Sequence, residues 1–318
     1  MQVVIVGAGI VGLYLASKLA KKSKVFLFEK KEKVGGKACS ALYSERIFSF
    51  LPDIKKFAKN KIEFCLINFP KKRIKIDFKK NFFVFDRQKI EKHLLLEAKK
   101  AKAKISFRKR VGEREIEEFL KNFDRLIGCD GANSIVRKFL KVKKANFYLG
   151  IQGFLKKKDF SNFVEVWPTK EGFLWKIPRG KEIEYGIIER ANRARRIFES
   201  FKQKQKIEIE KINCAPILED FFVPENEKIT LCGEAAGLVK PWSGGGVIWG
   251  LISANILLKT FPDFLAYQKE IKKKFSKQIF LSKVAKKIVY FLGFKFPKFL
   301  FSEYRIDGDF ILSKDGIF

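Results

Sequence analysis

The chain opens on an unbroken apolar run, QVVIVG at residues 2–7. It continues at a helical period to about residue 22 and returns to an apolar run, KVFLFE, at 24–29. Short apolar runs predict strands covered on both faces, and the 3.6-residue period predicts a helix between them. The blocks recur at 125–138, RLIGCDGANSIVRK, a strand leading into a helix. They recur again at 228–251, KITLCGEAAGLVKPWSGGGVIWGL, a strand, a turn and a long helix. DRQKIEKHLLLEA, at 86–98, has a helical period of its own. Residues 46–85 and 146–225 break the pattern. There FVEVW, FLWKIP and IEYGIIER are short alternating runs, which predict an interposed antiparallel sheet. After Pro262 the chain turns Lys- and Phe-rich. In FLSKVAKKIVYFL, 280–292, Phe280, Leu281, Val284, Ile288, Phe291 and Leu292 share one helical face, and Lys283, Lys286 and Lys287 fall opposite. The expected class is α/β. A discontinuous strand–helix unit takes 1–45, 86–145 and 226–262, the sheet unit takes 46–85 and 146–225, and a basic amphipathic helical tail takes 263–318.

Composition narrows this. A chain of 318 residues with 47% hydrophobic content is long enough for two cores. No apolar run reaches the ~18 residues of a membrane span, so a soluble or peripheral protein is expected. Five cysteines (39, 65, 129, 214, 232) show no CxxC spacing, and their odd number argues against a disulfide framework. With a strand starting at residue 2 and no leader before it, a reducing cytoplasm is the expected setting. The single histidine, His93, excludes a His-rich metal site and argues against His-based catalysis; it reads as a partly exposed helix residue. The formal charge is +32, from 67 Lys+Arg against 35 Asp+Glu. Such an excess suits an acidic protein or an anionic lipid surface. The basic residues form no nucleic-acid-type cluster, and Lys-, Ile- and Phe-rich composition throughout also fits codon bias.

The glycines supply candidate chemistry. Gly7-x-Gly9-x-x-Gly12 follows the first strand and opens the first helix. The glycines tighten the turn, let the backbone approach a pyrophosphate and let the helix pack on the strand. The helix N-terminus then offers unpaired N–H groups to the phosphates. Glu29 ends the second strand, where its carboxylate accepts from both ribose hydroxyls and disfavours a 2′-phosphate. No second such fingerprint follows. One dinucleotide is therefore expected, with electrons arriving from transient NAD(P)H or from another protein.

With GGKACS at 35–40, the stretches at 125–138 and 228–251 resemble the FAD-dependent family that includes aromatic hydroxylases, halogenases and geranylgeranyl reductases. The resemblance implies a Rossmann-type FAD-binding domain of the three-layer, glutathione-reductase-like kind. It implies FAD contacts by Lys37, by Asp130-Gly131 near the pyrophosphate, by Glu234 (where the family generally has Asp), and by Arg87 at the start of a helix. Gly244, Gly245 and Gly246, with Val247, would aim a helix start at the flavin edge. EGFLWKIPRG resembles the Trp-Pro signature of geranylgeranyl reductases, and GGKACS their cysteine segment beside the flavin. This implies Cys39 and Trp175 as catalytic residues and Phe173, Trp175 and Pro178 at the substrate. Halogenases carry Trp-x-Trp-x-Ile-Pro, in which Phe173 here replaces the first Trp. The activity implied is reduction of C=C bonds in prenyl chains of membrane-lipid precursors. The alternatives are an FAD monooxygenase or halogenase, and a flavoprotein without catalysis. The implied partners are a prenylated lipid, a ferredoxin-like donor and a membrane surface that the basic tail would lie on.

Overall fold

The computed structural model describes residues 1–142, 145–209 and 211–310. Its first sheet is parallel, in the order β13-β7-β1-β2-β6. The strands are β1 (Gln2–Val6), β2 (Lys24–Phe28), β6 (Lys104–Ser106), β7 (Arg125–Gly128) and β13 (Ile229–Leu231). Each is short and apolar because helices cover both faces. The helices of this unit are α1 (Ile10–Leu19), α3 (Arg87–Lys100), α4 (Glu113–Asn122), α5 (Ile135–Phe139) and α7 (Val247–Thr260). α1 and α7 are almost wholly buried, the first through Leu13, Leu15 and Ala16, the second through Trp249, Leu251 and Leu257. α2 (Ile47–Phe50) adds Ile47 and Phe50 to the same core.

The second sheet has nine strands: β3 (Leu42–Ser44), β4 (Ala58–Phe69), β5 (Lys72–Phe85), β8 (Phe147–Leu155), β9 (Phe163–Pro168), β10 (Phe173–Pro178), β11 (Ile183–Glu189), β12 (Ile212–Leu218) and β14 (Glu303–Ile306). Its order is β12-β8-β11-β10-β9-β4-β5-β14, with β3 beside β5. Most pairs are antiparallel, as the alternating runs predict, but β4–β9 and β5–β14 are parallel. Its two faces bury different things. Ile151, Leu174 and Ile187 face α6 (Ala191–Gln205), through Ala194 and Phe198. Trp175, Ile177 and Ile188 face the other way, toward Ile62, Val84 and Val164.

The C-terminal region is helical, as expected, and packs into both units. α8 (Phe264–Lys295) places Phe264, Tyr267, Ile271, Phe275 and Ile279 in the core of the parallel-sheet unit. β14 then joins the second sheet. Residues 307–310 are tied down beneath it, where Asp309 accepts from Lys240 at 3.0 Å and from Ser44, and Asp307 pairs with Arg46. Burial raises the Asp309 pKa, but Lys240, Ser44 and Arg46 together outweigh it and hold the carboxyl below its usual range.

Helix phase decides which face of α8 is buried. The buried stripe of α8 runs Ile271, Phe275, Ile279, Ser282 and Gly293, with the part-buried Lys286 and Tyr290 also turned inward between Ser282 and Gly293. A straight helix keeps one phase, so its first half decides which face of the second half looks inward. The inward positions there are Ser282, Lys286 and Tyr290. Phe280 (65% exposed), Ile288 (52%) and Phe291 (58%) point outward. Leu292 alone of the predicted apolar face packs on the satellite core around Phe69 and Leu300.

Candidate functional site

One cavity of ≈ 830 Å³ joins the two sheets. At its parallel-sheet end, Gly7 has φ +106°, and a Cβ there would sit 2.6 Å from the Cys129 carbonyl oxygen. At Gly12 a Cβ would run into the Gly7 carbonyl. These two glycines serve the protein itself. Gly9 is different: a Cβ there would meet nothing within 4 Å, since it faces the open cavity. Gly9 is the N-cap of α1 and supplies no side-chain cap; Gly246 does the same for α7. Both helix starts border the cavity, so two sets of unpaired backbone N–H groups open onto it. Gly244, with φ +68°, Gly245 and Val247 complete the α7 entry.

The expected cofactor residues converge here. Glu29 lines the cavity, with Oε2 accepting from Ala8 N at 2.8 Å and Oε1 from Lys31 N at 2.9 Å. Each oxygen keeps acceptor capacity toward a ligand. Lys37 pairs with Glu234 across the cavity, beside Gly131. Asp130 caps the turn into α5, with Oδ2 accepting from Ile135 N at 2.6 Å. Its Oδ1 is buried without a hydrogen-bond partner, and burial raises its pKa. Arg87 begins α3, bonds Glu91 at 2.8 Å and reaches the Cys39–Tyr43 pair. Burial works against the charge on Arg87, yet Tyr43, Cys39 and Glu91 around it raise its pKa well above the usual value. These features fit an elongated, anionic dinucleotide: an open cradle at Gly9 and two uncapped helix starts for its phosphates, and the Glu29 carboxylate to accept from its hydroxyls. Among the described residues no cluster of His, Cys, Asp and Glu forms a metal site.

At the sheet end the wall is apolar, with Cys65, Ile67, Phe69, Ile76, Phe82 and Val166 from β4, β5 and β9. Phe173 and Trp175 share a strand face, as their two-residue spacing predicts, with ring centroids 6.0 Å apart. Pro178 is a correction. It has the opposite parity, pointing with Leu174 and Lys176 toward the other face, and Ile177 takes its place on the wall. Trp175 lies opposite Gly186 of β11, and a Cβ at 186 would enter the indole ring.

Sequence reading missed what holds Trp175. Its Nε1 donates to Glu184 Oε1 at 3.0 Å. Glu184 is fully buried, which raises its pKa, while Arg179 at 2.7 Å pulls it back. Arg179 also donates to the Ser40 carbonyl at 2.6 Å and the Phe85 carbonyl at 2.8 Å. One buried ion pair therefore fixes the indole and the backbone beside Cys39. The Cys39 thiol lies 3.6 Å from the Tyr43 hydroxyl and accepts from Ala41 N at 3.4 Å. Burial, then the neighbouring Cys39, pushes the Tyr43 pKa well above the usual value. Lys286, also unforeseen, enters the cavity from α8 and donates to the Glu171 carbonyl at 3.0 Å; burial lowers its pKa. Cys129 and Cys232 end neighbouring strands, Cys232 buried against Ser253 at 3.1 Å, in keeping with packing roles. His93 lies half-buried on α3 beside Phe57.

A family model described as an NAD(P)-binding Rossmann-like domain matches residues 5–53. The digeranylgeranylglycerophospholipid reductase of Methanocaldococcus jannaschii is 25% identical over 301 residues, covering 81% of this chain and 77% of its own length. Among solved structures, a geranylgeranyl bacteriochlorophyll reductase-like protein from Thermoplasma acidophilum superposes with TM-score 0.75 at 20% identity, over 90% of this chain and 86% of that one. A flavin-dependent halogenase from Brevundimonas superposes with TM-score 0.67 at 12% identity, over 92% and 78%. The fold is thus a Rossmann-like unit carrying a second, mixed sheet, shared with reductases and halogenases alike.

Proposed function

We propose that this protein is an FAD-dependent oxidoreductase that reduces C=C bonds of prenyl chains in membrane-lipid precursors. One observation carries the reading. A single cavity has two uncapped helix N-termini and Glu29 at one end, an apolar wall at the other, and Cys39 and Trp175 between. The resemblance to named prenyl-lipid reductases over most of the chain supports it.

FAD, when bound and reduced, supplies a hydride. The N-terminus of α1 would hold its pyrophosphate, Glu29 its ribose, Lys37 and Glu234 the middle of the molecule, and the N-terminus of α7 the charged edge of the ring. The apolar wall would take the prenyl chain and exclude water. An isolated trisubstituted alkene accepts hydride poorly unless a proton reaches its other carbon. Cys39, held by Tyr43 and Ala41, stands on the wall to provide that proton. Trp175, locked by Glu184, presents a ring face to positive charge at the tertiary carbon, worth about 0.5–2 kcal/mol. Proton and hydride together saturate the bond, and the electrons come from an acidic ferredoxin-like protein or transient NAD(P)H.

The test is anaerobic. The FAD-loaded protein is reduced with dithionite, excess reductant is removed, and a geranylgeranyl lipid is added. Recovery of flavin absorbance without oxygen, with lipid mass rising in steps of two hydrogens, is expected. Oxygen- or halogen-atom transfer requiring O₂ would favour the halogenase or monooxygenase fold-mates, and no change in lipid or flavin would mean a flavoprotein without this catalysis. With a ferredoxin as donor, reduction should slow steeply as salt screens the +32 charge, whereas dithionite reduction should barely change.

A further inference from the structure

The outward face of α8 does not end with the helix. Phe280, Val284, Ile288 and Phe291 lie at spacings of four, four and three residues, all exposed. Past the helix, Phe296 and Phe299 continue the row: the Phe291 and Phe296 ring centroids are 5.5 Å apart and those of Phe296 and Phe299 6.3 Å. Phe299 is 74% exposed and Phe301 76%. Soluble surfaces scatter single apolar residues, and a continuous apolar ridge marks an interaction site.

The ridge adjoins the cavity. Val289, half turned outward, lines it, as do Tyr290 and Leu300 from the same two segments. Charge narrows the occupant. Between residues 271 and 302 there are nine lysines and no Asp or Glu. Lys287, Lys295 and Lys298 are exposed beside the ridge. A second copy would bring this cationic border against its like, whereas an anionic lipid surface complements it. No helix among the described residues is long and apolar enough to cross a bilayer, so the ridge lies in the interface and does not span it.

We infer that the ridge from Phe280 to Phe301 docks on an anionic bilayer and sets the cavity against the hydrocarbon, so that a lipid chain enters sideways from the membrane. The docking face stands on its own residues; the entry route rests on the function proposed above. The experiment separates the two. Vesicles of neutral phosphatidylcholine, with and without phosphatidylglycerol, are sedimented with the FAD-loaded protein in the absence of reductant and substrate. Binding is expected with the anionic vesicles and is expected to fall with salt. The variant Ile288→Ser/Phe291→Ser/Phe299→Ser should partition on the order of 10- to 100-fold less while keeping flavin content and melting temperature. Lys287→Glu/Lys295→Glu/Lys298→Glu, which leaves the ridge intact, should lose the preference for anionic vesicles. Absence of wild-type binding, or undiminished binding of the serine variant, overturns the docking face. So does a dimer that the serine variant converts to monomer, which would make a second copy the occupant. For the entry route, the serine variant should lose turnover on vesicle-borne geranylgeranyl lipid but keep it on detergent-dispersed lipid. Equal loss on both overturns sideways entry. Vesicle binding with no turnover by the wild type on either lipid form refutes the function and leaves the docking face standing.

Discussion

The two glycines Gly9 and Gly12 and the two β10 residues Trp175 and Pro178 show how differently the ends of this molecule are written. At the parallel-sheet end the constraints are local. Turn, helix start and acid lie within 29 residues, and each glycine has its own mechanical reason. At the mixed-sheet end the constraints come from afar: Trp175 is held by Glu184 and Arg179, Arg179 by the carbonyls of Ser40 and Phe85, and the cavity wall by nine strands and α8. A binding site made of backbone can be read from spacing, and one made of side chains from several elements cannot.

The sharpest way to break this contrast is within the fingerprint. Gly12→Val should prevent folding outright, because its Cβ would collide with the Gly7 carbonyl. Gly9→Val has free space on the protein side. It should fold with a melting temperature close to that of the FAD-free wild type and fall from about one FAD per chain to near none. Circular dichroism and heat-released flavin read the two effects separately; a Gly9→Val protein that keeps its FAD would remove the pyrophosphate cradle from the account.

Next comes the buried pair at the other end. Arg179→Met leaves Glu184 without its charge partner and should cost about 3–5 kcal/mol by denaturant unfolding. The double variant Arg179→Met/Glu184→Gln should recover part of that loss, since no unpaired charge remains. Equal losses would mean that the pair is not electrostatically coupled. Cys39→Ala should lower kcat about 10²- to 10⁴-fold if its thiol delivers the proton, with FAD content unchanged. An unaltered kcat would return the thiol to a packing role. Trp175→Leu removes the ring together with the Glu184 bond, and a ~2- to 30-fold drop in kcat corresponds to the cation–π range.

The smallest effect tests Lys286. Burial lowers its folded pKa below the unfolded value of ~10.4, so between those two values the unfolded state binds more protons and stability rises with pH. Lys286→Met should lack that contribution. Its stability advantage over wild type should shrink as pH climbs toward 10, and a constant difference would mean that the ammonium is solvated.

The legible part of the fold was its strand–helix blocks and the interposed sheet; the residues expected to hold a cofactor line one cavity, with Gly12 packed behind them. Three things were not legible. The parity of β10 removes Pro178 from the cavity, because one residue in a strand reverses the side chain. The phase of α8 turns Lys286 inward, away from the other lysines, because the first half of the helix, not the local pattern, chose the buried face. β14 and Asp309, more than 200 residues beyond Ser44 and Arg46, show only in three dimensions.

The claim that joins the two ends is that a prenyl chain reaches the flavin through one cavity. Titrating the oxidised, FAD-loaded protein with a geranylgeranyl lipid, without reductant, tests it directly through the flavin absorption bands. The expected result is a saturable difference spectrum that Trp175→Phe weakens. A flat difference spectrum at lipid concentrations that demonstrably bind the protein would place the chain elsewhere and contradict the shared cavity.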